Sequence, residues 1–172
     1  MSVQQLILRA NRYLAASLLE KRLITSADVE RANSRLLTLL QSQSNQRISV
    51  LSILIYDLQA LDEDSLIRYL VENHQVGLMN LGHFRIEQAP LDDVSFEECS
   101  ATMSIPFDRI GNAVCIATCY FLSKPVIDYW ENRFDKVLWY TTSVASLTNA
   151  LDQIPRTQPE SDTGVDMESN PG

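Results

Sequence analysis

Lysine is scarce in this sequence, and the phosphate-binding loop that depends on lysine is missing. The chain has 172 residues but only three lysines, Lys21, Lys124 and Lys136, and none of them follows a glycine. The pattern Gly-x-x-x-x-Gly-Lys-Ser/Thr, whose backbone amides surround nucleotide phosphates, does not occur. The sequence therefore excludes a nucleotide-hydrolysing site of this kind, and no other motif predicts an enzyme.

Paired cysteine motifs are also lacking. The chain has three cysteines, Cys99, Cys115 and Cys119, an odd number without any Cys-x-x-Cys spacing. His74 and His83 could be imagined as metal ligands beside them, and Cys99 with His83 as a nucleophilic pair, but neither combination has the spacing or the orienting residues such sites need. We interpret the cysteines as buried thiols in a reducing compartment, and expect neither a metal nor a cofactor.

No stretch approaches the roughly 20 apolar residues that a membrane span requires. The chain begins with a polar segment, and no uninterrupted apolar run follows it, so no signal peptide is predicted. We expect a soluble cytoplasmic protein without direct membrane insertion.

Positive charge is lacking in the second half. Residues 1–75 carry eight Lys/Arg and eight Asp/Glu, whereas residues 76–172 carry six and fourteen, which accounts for the whole net charge of −8. Nucleic acids and anionic lipids are bound by basic surfaces that neutralise phosphate. The charge distribution argues against either as the main ligand.

An internal repeat with an offset of 37 residues organises the first half. Residues 14–19 and 23–29 match residues 51–56 and 60–66, and each copy predicts a helix, a break, a polar cap and a new helix. Two unrelated helix–turn–helix pairs would give a similar pattern. Thr25 and Asp62 are suitable N-caps, and Thr25 with Asp28 approximates a capping box. The predicted helices span residues 3–21, 26–41, 48–58 and 63–74.

The pattern changes at Gly77. The Gly111-Asn112 turn between two apolar runs predicts a hairpin, and Ser123, Pro125 and Ser143 mark helix starts. The predicted elements are a strand at 78–81, a helix at 91–103, the hairpin strands, a helix at 126–134, a strand at 137–142 and a helix at 143–154. The tail holds three of the six prolines, and we expect it to be disordered.

The predicted fold class is therefore α+β. A helical amino-terminal lobe of two repeated helix pairs, residues 1–75, is followed by a small α/β lobe with a short sheet, residues 76–154, and a disordered polar tail, residues 155–172.

Two groups of side chains in the second lobe are candidate functional residues. The carboxylates Asp92, Asp93, Glu97 and Glu98 could form an acid/base pair, but a solvated first turn of a helix explains them more simply. Four aromatic residues near the end of this lobe either pack in the core or form a partner-docking patch; they are Tyr129, Trp130, Trp139 and Tyr140.

The order and spacing of four segments resemble the amino-terminal domain of type II secretion and type IV pilus assembly ATPases. The segments are residues 23–29, residues 66–70 leading into 76–81, residues 104–107 followed by 111–114, and residues 143–151. The resemblance covers about residues 12–154. It implies a non-catalytic module that docks on an inner-membrane platform protein or an assembly ATPase, recruited to the inner-membrane face.

Some members of that family bind cyclic di-GMP, and in them each repeat opens with Arg-Leu-Gly. Here the matching positions are Tyr13-Leu14-Ala15 and Val50-Leu51-Ser52, so both copies lack the arginine and the glycine. Neither Tyr nor Val can replace the bidentate donors of arginine. Arg12 and Arg47 lie nearby but out of register, and a shift of one residue turns a helical side chain by about 100°. We therefore expect no cyclic di-GMP binding. The alternative is a non-standard cyclic-dinucleotide receptor that uses Arg12, Arg47 and the helix-pair breaks.

Overall fold

The computed structural model describes residues 1–42, 49–86 and 93–155. Its helices are α1 (Val3–Glu20), α2 (Ser26–Gln41), α3 (Val50–Ser52, continued by a π-helix at Ile53–Asp57), α4 (Glu63–His74), α5 (Phe96–Thr102), α6 (Lys124–Arg133) and α7 (Val144–Leu151). Its strands are β1 (Gly77–Leu78), β2 (Ser104–Ile110), β3 (Ala113–Thr118) and β4 (Val137–Thr141), with a 3₁₀ turn at Leu81–His83.

Local side-chain chemistry fixes where most helices begin. Thr25 and Asp28 form the predicted capping box, since each side chain accepts a hydrogen bond from the other's backbone N–H. Asp62 and Ser143 cap α4 and α7 as predicted. The capping box of Ser2 with Gln5 at the start of α1 was not predicted. These contacts satisfy backbone N–H groups that have no partner within the first helical turn.

The third helix differs from its prediction. Instead of an α-helix over 48–58, one α-helical turn continues as a π-helix in the described part of that range. We call the turn between α1 and α2 the first helix-pair turn, and the turn between the π-helix and α4 the second. At the first, Leu23 N–H donates to the carbonyl of Leu18. At the second, Ala60 N–H reaches one residue further back, to Leu54. This longer hydrogen bond follows a π-helix, whose wider turn cannot be predicted from the periodicity of an apolar run.

Two further elements are shorter than predicted because a side chain ends or begins them. The strand stops at Leu78, and Asn80 then accepts a hydrogen bond from Gly82 N–H at 2.9 Å and turns the chain. Helix α5 begins at Phe96 rather than at 91, since Ser95 is its N-cap. Asp93 therefore precedes the helix, and Asp92 lies outside the described residues.

The four strands form one mixed sheet in the order β1-β4-β3-β2. The predicted hairpin joins β2 and β3 in antiparallel pairing, with Gly111 at a φ of 60° in its turn. Strand β4 lies parallel to both β3 and β1. Pro106 lies in the edge strand β2 at an irregularity in the pairing, where its missing N–H is tolerated. The predicted α+β class is confirmed.

Helix α1 packs on both parts of the chain. It contacts α2 and α3 of the helical segment, and also α5 and α6 beside the sheet. Buried residues from both segments belong to one hydrophobic cluster. A boundary near residue 75 stays a prediction, and the predicted tail lies outside the described residues beyond Pro155.

A buried hydrogen-bond network holds α1 in this position. Asn11, only 1% exposed, accepts hydrogen bonds through Oδ1 from Val50 N–H at 2.8 Å and from the Tyr120 hydroxyl at 2.6 Å. Its amide donates to the Ile7 carbonyl at 2.8 Å. The Tyr120 oxygen also lies 2.7 Å from Ser49 Oγ. The network joins α1, α3 and the segment after β3 at one point.

Ser123 adds a second link. It occupies the predicted N-cap position of α6, but its side chain makes no capping hydrogen bond. Its hydroxyl instead donates to the Ala10 carbonyl of α1 at 2.8 Å. Ser123, which the sequence predicts to be a helix cap, therefore links α1 to the start of α6 instead.

Replacing Asn11 with alanine is expected to lower the free energy of unfolding by about 2–3 kcal/mol, because it leaves the buried Val50 N–H without an acceptor. Urea unfolding measures this change. The neighbouring exposed substitution Arg12→Ala is the control and should change stability by less than about 0.5 kcal/mol. Equal stabilities of the two variants would contradict the assigned role of Asn11.

Candidate functional site

The two helix-pair turns share an unusual backbone conformation. Arg22 and Gln59 have φ angles of 61° and 49°, in the left-handed region that glycine normally occupies. They lie 37 residues apart, which is the offset of the sequence repeat. This equivalence supports a true internal repeat rather than two unrelated helix pairs. The sequence alone gave no sign of it, because neither residue type marks such a conformation.

The positions that match the Arg-Leu-Gly signature differ in their exposure to solvent. Val50 is fully buried, and its N–H is bound to Asn11, so it cannot face a ligand. Tyr13 is 44% exposed, while Ala15 is buried. Arg12 is exposed on α1, and Arg47 lies outside the described residues.

The second turn is acidic. It borders a surface depression of about 660 Å³, whose lining includes Tyr56, Gln59, Asp62, Glu63 and Asp64. Hydrogen bonds from the Ser65 hydroxyl and backbone N–H lower the pKa of Asp62, so this carboxylate stays ionised at neutral pH. The three consecutive carboxylates Asp62, Glu63 and Asp64 disfavour binding of an anionic dinucleotide at this turn.

The four predicted docking aromatics separate into different environments. Trp130 has no exposed surface, and its Nε1–H donates to Thr102 Oγ1 at 3.1 Å. It is therefore a core residue, which removes it from the predicted docking group. The Tyr140 ring packs over Gly77, where an added Cβ atom would lie only 2.8 Å from the ring. The centroids of the Tyr140 and Phe107 rings lie 5.3 Å apart. Partner docking by the remaining aromatics stays a prediction.

The Trp139 ring lies in a row of four aromatic rings, and its proximity to the other three was not predicted from the sequence. Tyr69 and His74 of α4 lie 5.7 Å apart, His74 and Phe121 lie 5.4 Å apart, and Phe121 and Trp139 lie 6.2 Å apart. His74 is exposed, and the other three are partly exposed. We call these four residues the aromatic patch. They come from α4, the segment after β3, and β4, so only the tertiary structure brings them together.

Tyr129 belongs to a polar cluster on another side of α6. Its hydroxyl donates to Glu98 Oε1, which also accepts from Arg133 Nη1 at 2.9 Å. Glu98 Oε2 accepts from Ser95 N–H at 2.7 Å. Partial burial alone would raise the pKa of Glu98, but these donors together hold it below its usual value. Burial, followed by the Glu98 carboxylate, raises the pKa of Tyr129.

A groove opens beside this cluster, between the start of α1 and α6. Its volume is about 480 Å³, within the range of ligand-binding clefts. We call it the α1/α6 groove, and its lining consists of Met1, Leu6, Arg9, Pro125, Asp128, Tyr129, Asn132 and Arg133. No sequence motif predicts this groove, since its two walls are more than 100 residues apart in the chain.

The cysteines lie within the packed interior. Cys99, Cys115 and Cys119 are free and buried, and burial raises the pKa of each thiol, so they are protonated at neutral pH. No group of three or more potential metal ligands occurs among residues 1–42, 49–86 and 93–155. Within the same described segments, no helix is long and apolar enough to cross a membrane.

Comparison with known proteins identifies the fold. No family model and no curated protein sequence matches the chain. Among solved structures, it resembles the N-terminal domain of XpsE, with 14% identity over 84% of this chain and 94% of that one, at a TM-score of 0.54. A second crystal form of that domain, I4122, gives 14% identity, coverages of 81% and 93%, and a TM-score of 0.53. MshE, solved with cyclic di-GMP, matches at 17% identity, coverages of 81% and 96%, and a TM-score of 0.49.

The chain therefore has the fold of a secretion ATPase N-terminal domain. In particular, it has the fold of the N-terminal domain of XpsE. The resemblance predicted from the short sequence motifs is confirmed at the level of the fold.

Replacing Glu98 with glutamine tests the polar cluster. Because its folded-state pKa is lowered, Glu98 stabilises the fold above its unfolded pKa, and this stabilisation is lost as the pH falls through the folded value. Near pH 7, Glu98→Gln should lower the free energy of unfolding by about 1–2 kcal/mol, and the difference from the parent should shrink below about pH 4. Urea unfolding across this range measures it. The adjacent exposed substitution Glu97→Gln should have a smaller effect, and a pH-independent Glu98→Gln difference would refute the assignment.

Proposed function

We propose that this chain is a non-catalytic protein-interaction module that docks on an inner-membrane platform protein or an assembly ATPase of a type II secretion or type IV pilus system. The fold it shares with the XpsE N-terminal domain supports the class of module. The partner and the non-catalytic role are the proposal. The aromatic patch is the observation from which we assign partner docking to particular residues.

The aromatic patch has the composition of an interface centre. Trp and Tyr dominate the binding energy of protein interfaces because they bury a large area and have few rotatable bonds. Trp139 also has its ring oriented in advance, since its Nε1–H donates to Glu131 Oε1 at 3.1 Å and its ring forms a T-shaped pair with Phe121. A side chain that is already ordered loses little conformational entropy when a partner binds.

The patch is also built on rigid elements. Phe121 follows β3, and Trp139 lies in β4, which is paired on both sides in the sheet. His74 is the last residue of α4. Because three packed segments hold the rings, the patch forms only in the folded chain and offers a defined shape to a partner.

The alternative function, a non-standard cyclic-dinucleotide receptor, has less support. The acidic second turn repels phosphate, and the buried Val50 occupies the position of one signature arginine. A thermal-shift screen with cyclic dinucleotides separates the two functions. A ligand present at about 100 times its Kd stabilises the folded state by about 2.7 kcal/mol, so binding would be readily detected.

Replacing Trp139 with alanine should strongly reduce partner capture, because it removes the largest ring of the aromatic patch. The measurement is affinity capture from the native cell extract by the tagged full chain, read by mass spectrometry. Secretion or pilus components should be recovered with the parent chain and reduced by at least about tenfold with Trp139→Ala, as expected for an interface centre.

The matched control is Tyr56→Ala, which removes an aromatic residue that is 53% exposed at the second helix-pair turn, outside the patch. It should leave capture unchanged. Circular dichroism and urea unfolding of both variants establish that each is folded. The proposal fails if folded Trp139→Ala still captures the same components, or if the parent chain captures none.

A further inference from the structure

The α1/α6 groove contains a cation that the fold itself does not use. The Arg9 guanidinium has no hydrogen bond or ion pair with any other described residue, whereas Arg133 is bound to Glu98 at 2.9 Å. Asp128, the one acidic residue of the lining, is neutralised by Lys124 at 2.7 Å. The groove is therefore positive, in a chain whose net charge is −8.

The polar wall of the groove is ordered before anything binds. Glu98 fixes Tyr129 and Arg133 through one carboxylate oxygen, and Ser95 N–H holds the other oxygen. The Arg133 side chain is only 31% exposed, so its position is set by packing as well as by the ion pair. An arginine held in this way can present its remaining N–H donors to a carboxylate with little loss of entropy.

Apolar surface lies on both sides of Arg9. Within the groove, Pro125 and the almost fully buried Leu6 line the surface together with Arg9. A second depression, of about 370 Å³, shares Met1 and Arg9 and adds Gln5 and Leu8. Met1 and Leu8 are 76% and 40% exposed. Two apolar depressions separated by an unpaired guanidinium fit a chain that carries apolar side chains around a carboxylate.

The surrounding charge favours the same kind of partner. Residues 1–42 carry six Lys/Arg and three Asp/Glu, although the helical segment as a whole is neutral. An acidic partner that approaches α1 therefore meets a locally positive surface, which accelerates association.

We propose that the α1/α6 groove binds an acidic amphipathic segment of a partner protein, with a carboxylate on Arg9 and Arg133 and apolar side chains in the two depressions. The groove shares no residue with the aromatic patch, so this proposal stands independently of the docking function argued above. A small anion could reach the two arginines, but it would leave both apolar depressions unfilled.

The test is selection of linear peptides from a random phage-displayed library on the immobilised full chain, followed by fluorescence anisotropy with the selected peptide. We expect enriched peptides to combine Asp/Glu with Leu, Ile or Phe. Arg9→Glu should weaken binding by more than about tenfold, because it places like charges together, and Arg9→Lys should retain most of it. Leu8→Asp should weaken binding similarly.

Two control variants make the result specific. Arg68→Glu applies the same charge change to an exposed residue of α4 outside the groove, and Trp139→Ala removes the aromatic patch; both should bind the peptide like the parent chain. The proposal is overturned if no peptide is enriched, if the enriched peptides are basic, or if Arg9→Glu and Arg68→Glu weaken binding equally. Displacement of the peptide by inorganic pyrophosphate at matching affinity would identify a small-anion site instead.

Discussion

The buried side chain of Asn11 is the constraint on which the arrangement of this protein depends. One amide oxygen accepts hydrogen bonds from Val50 N–H and from the Tyr120 hydroxyl, and so ties together segments that lie 39 and 109 residues away from it in the chain. An apolar residue at this position would leave a buried backbone donor unsatisfied. Because the network fixes α1 against the segment that leads into α6, it also sets the geometry of the groove between these two helices.

The two candidate surfaces follow from this arrangement in different ways. The aromatic patch is formed by the sheet and the end of α4, and it does not include α1. The α1/α6 groove exists only while α1 is seated, since Ser123 and Asn11 hold the helix beside α6. A chain with acidic character overall thus carries one aromatic surface and one locally basic surface, which differ in chemistry.

The two copies of the helical repeat share the backbone conformation of their turn but differ in the helix that precedes it. Arg22 and Gln59 adopt the left-handed conformation although neither is glycine, and the second copy contains a π-helix where the first does not. At 14% identity the chain still matches the fold of the XpsE N-terminal domain. Packing tolerates substitution when size and apolar pattern are kept, whereas a ligand contact through arginine does not. The chain thus shares this fold although neither helix pair opens with Arg-Leu-Gly.

Features that depend on neighbours within a few residues can be predicted from the sequence. The caps at Thr25, Asp62 and Ser143 and the hairpin at Gly111 need only local hydrogen bonds and backbone preferences, and these predictions are confirmed. Which polar and aromatic residues contact one another depends on long-range packing. In the sequence, nothing distinguishes Asn11 from an ordinary helical residue or Trp130 from Trp139. In the structure, Trp130 is buried, whereas Trp139 is partly exposed. Contacts across 100 residues depend on how the helices pack against the sheet, and local periodicity does not encode that packing.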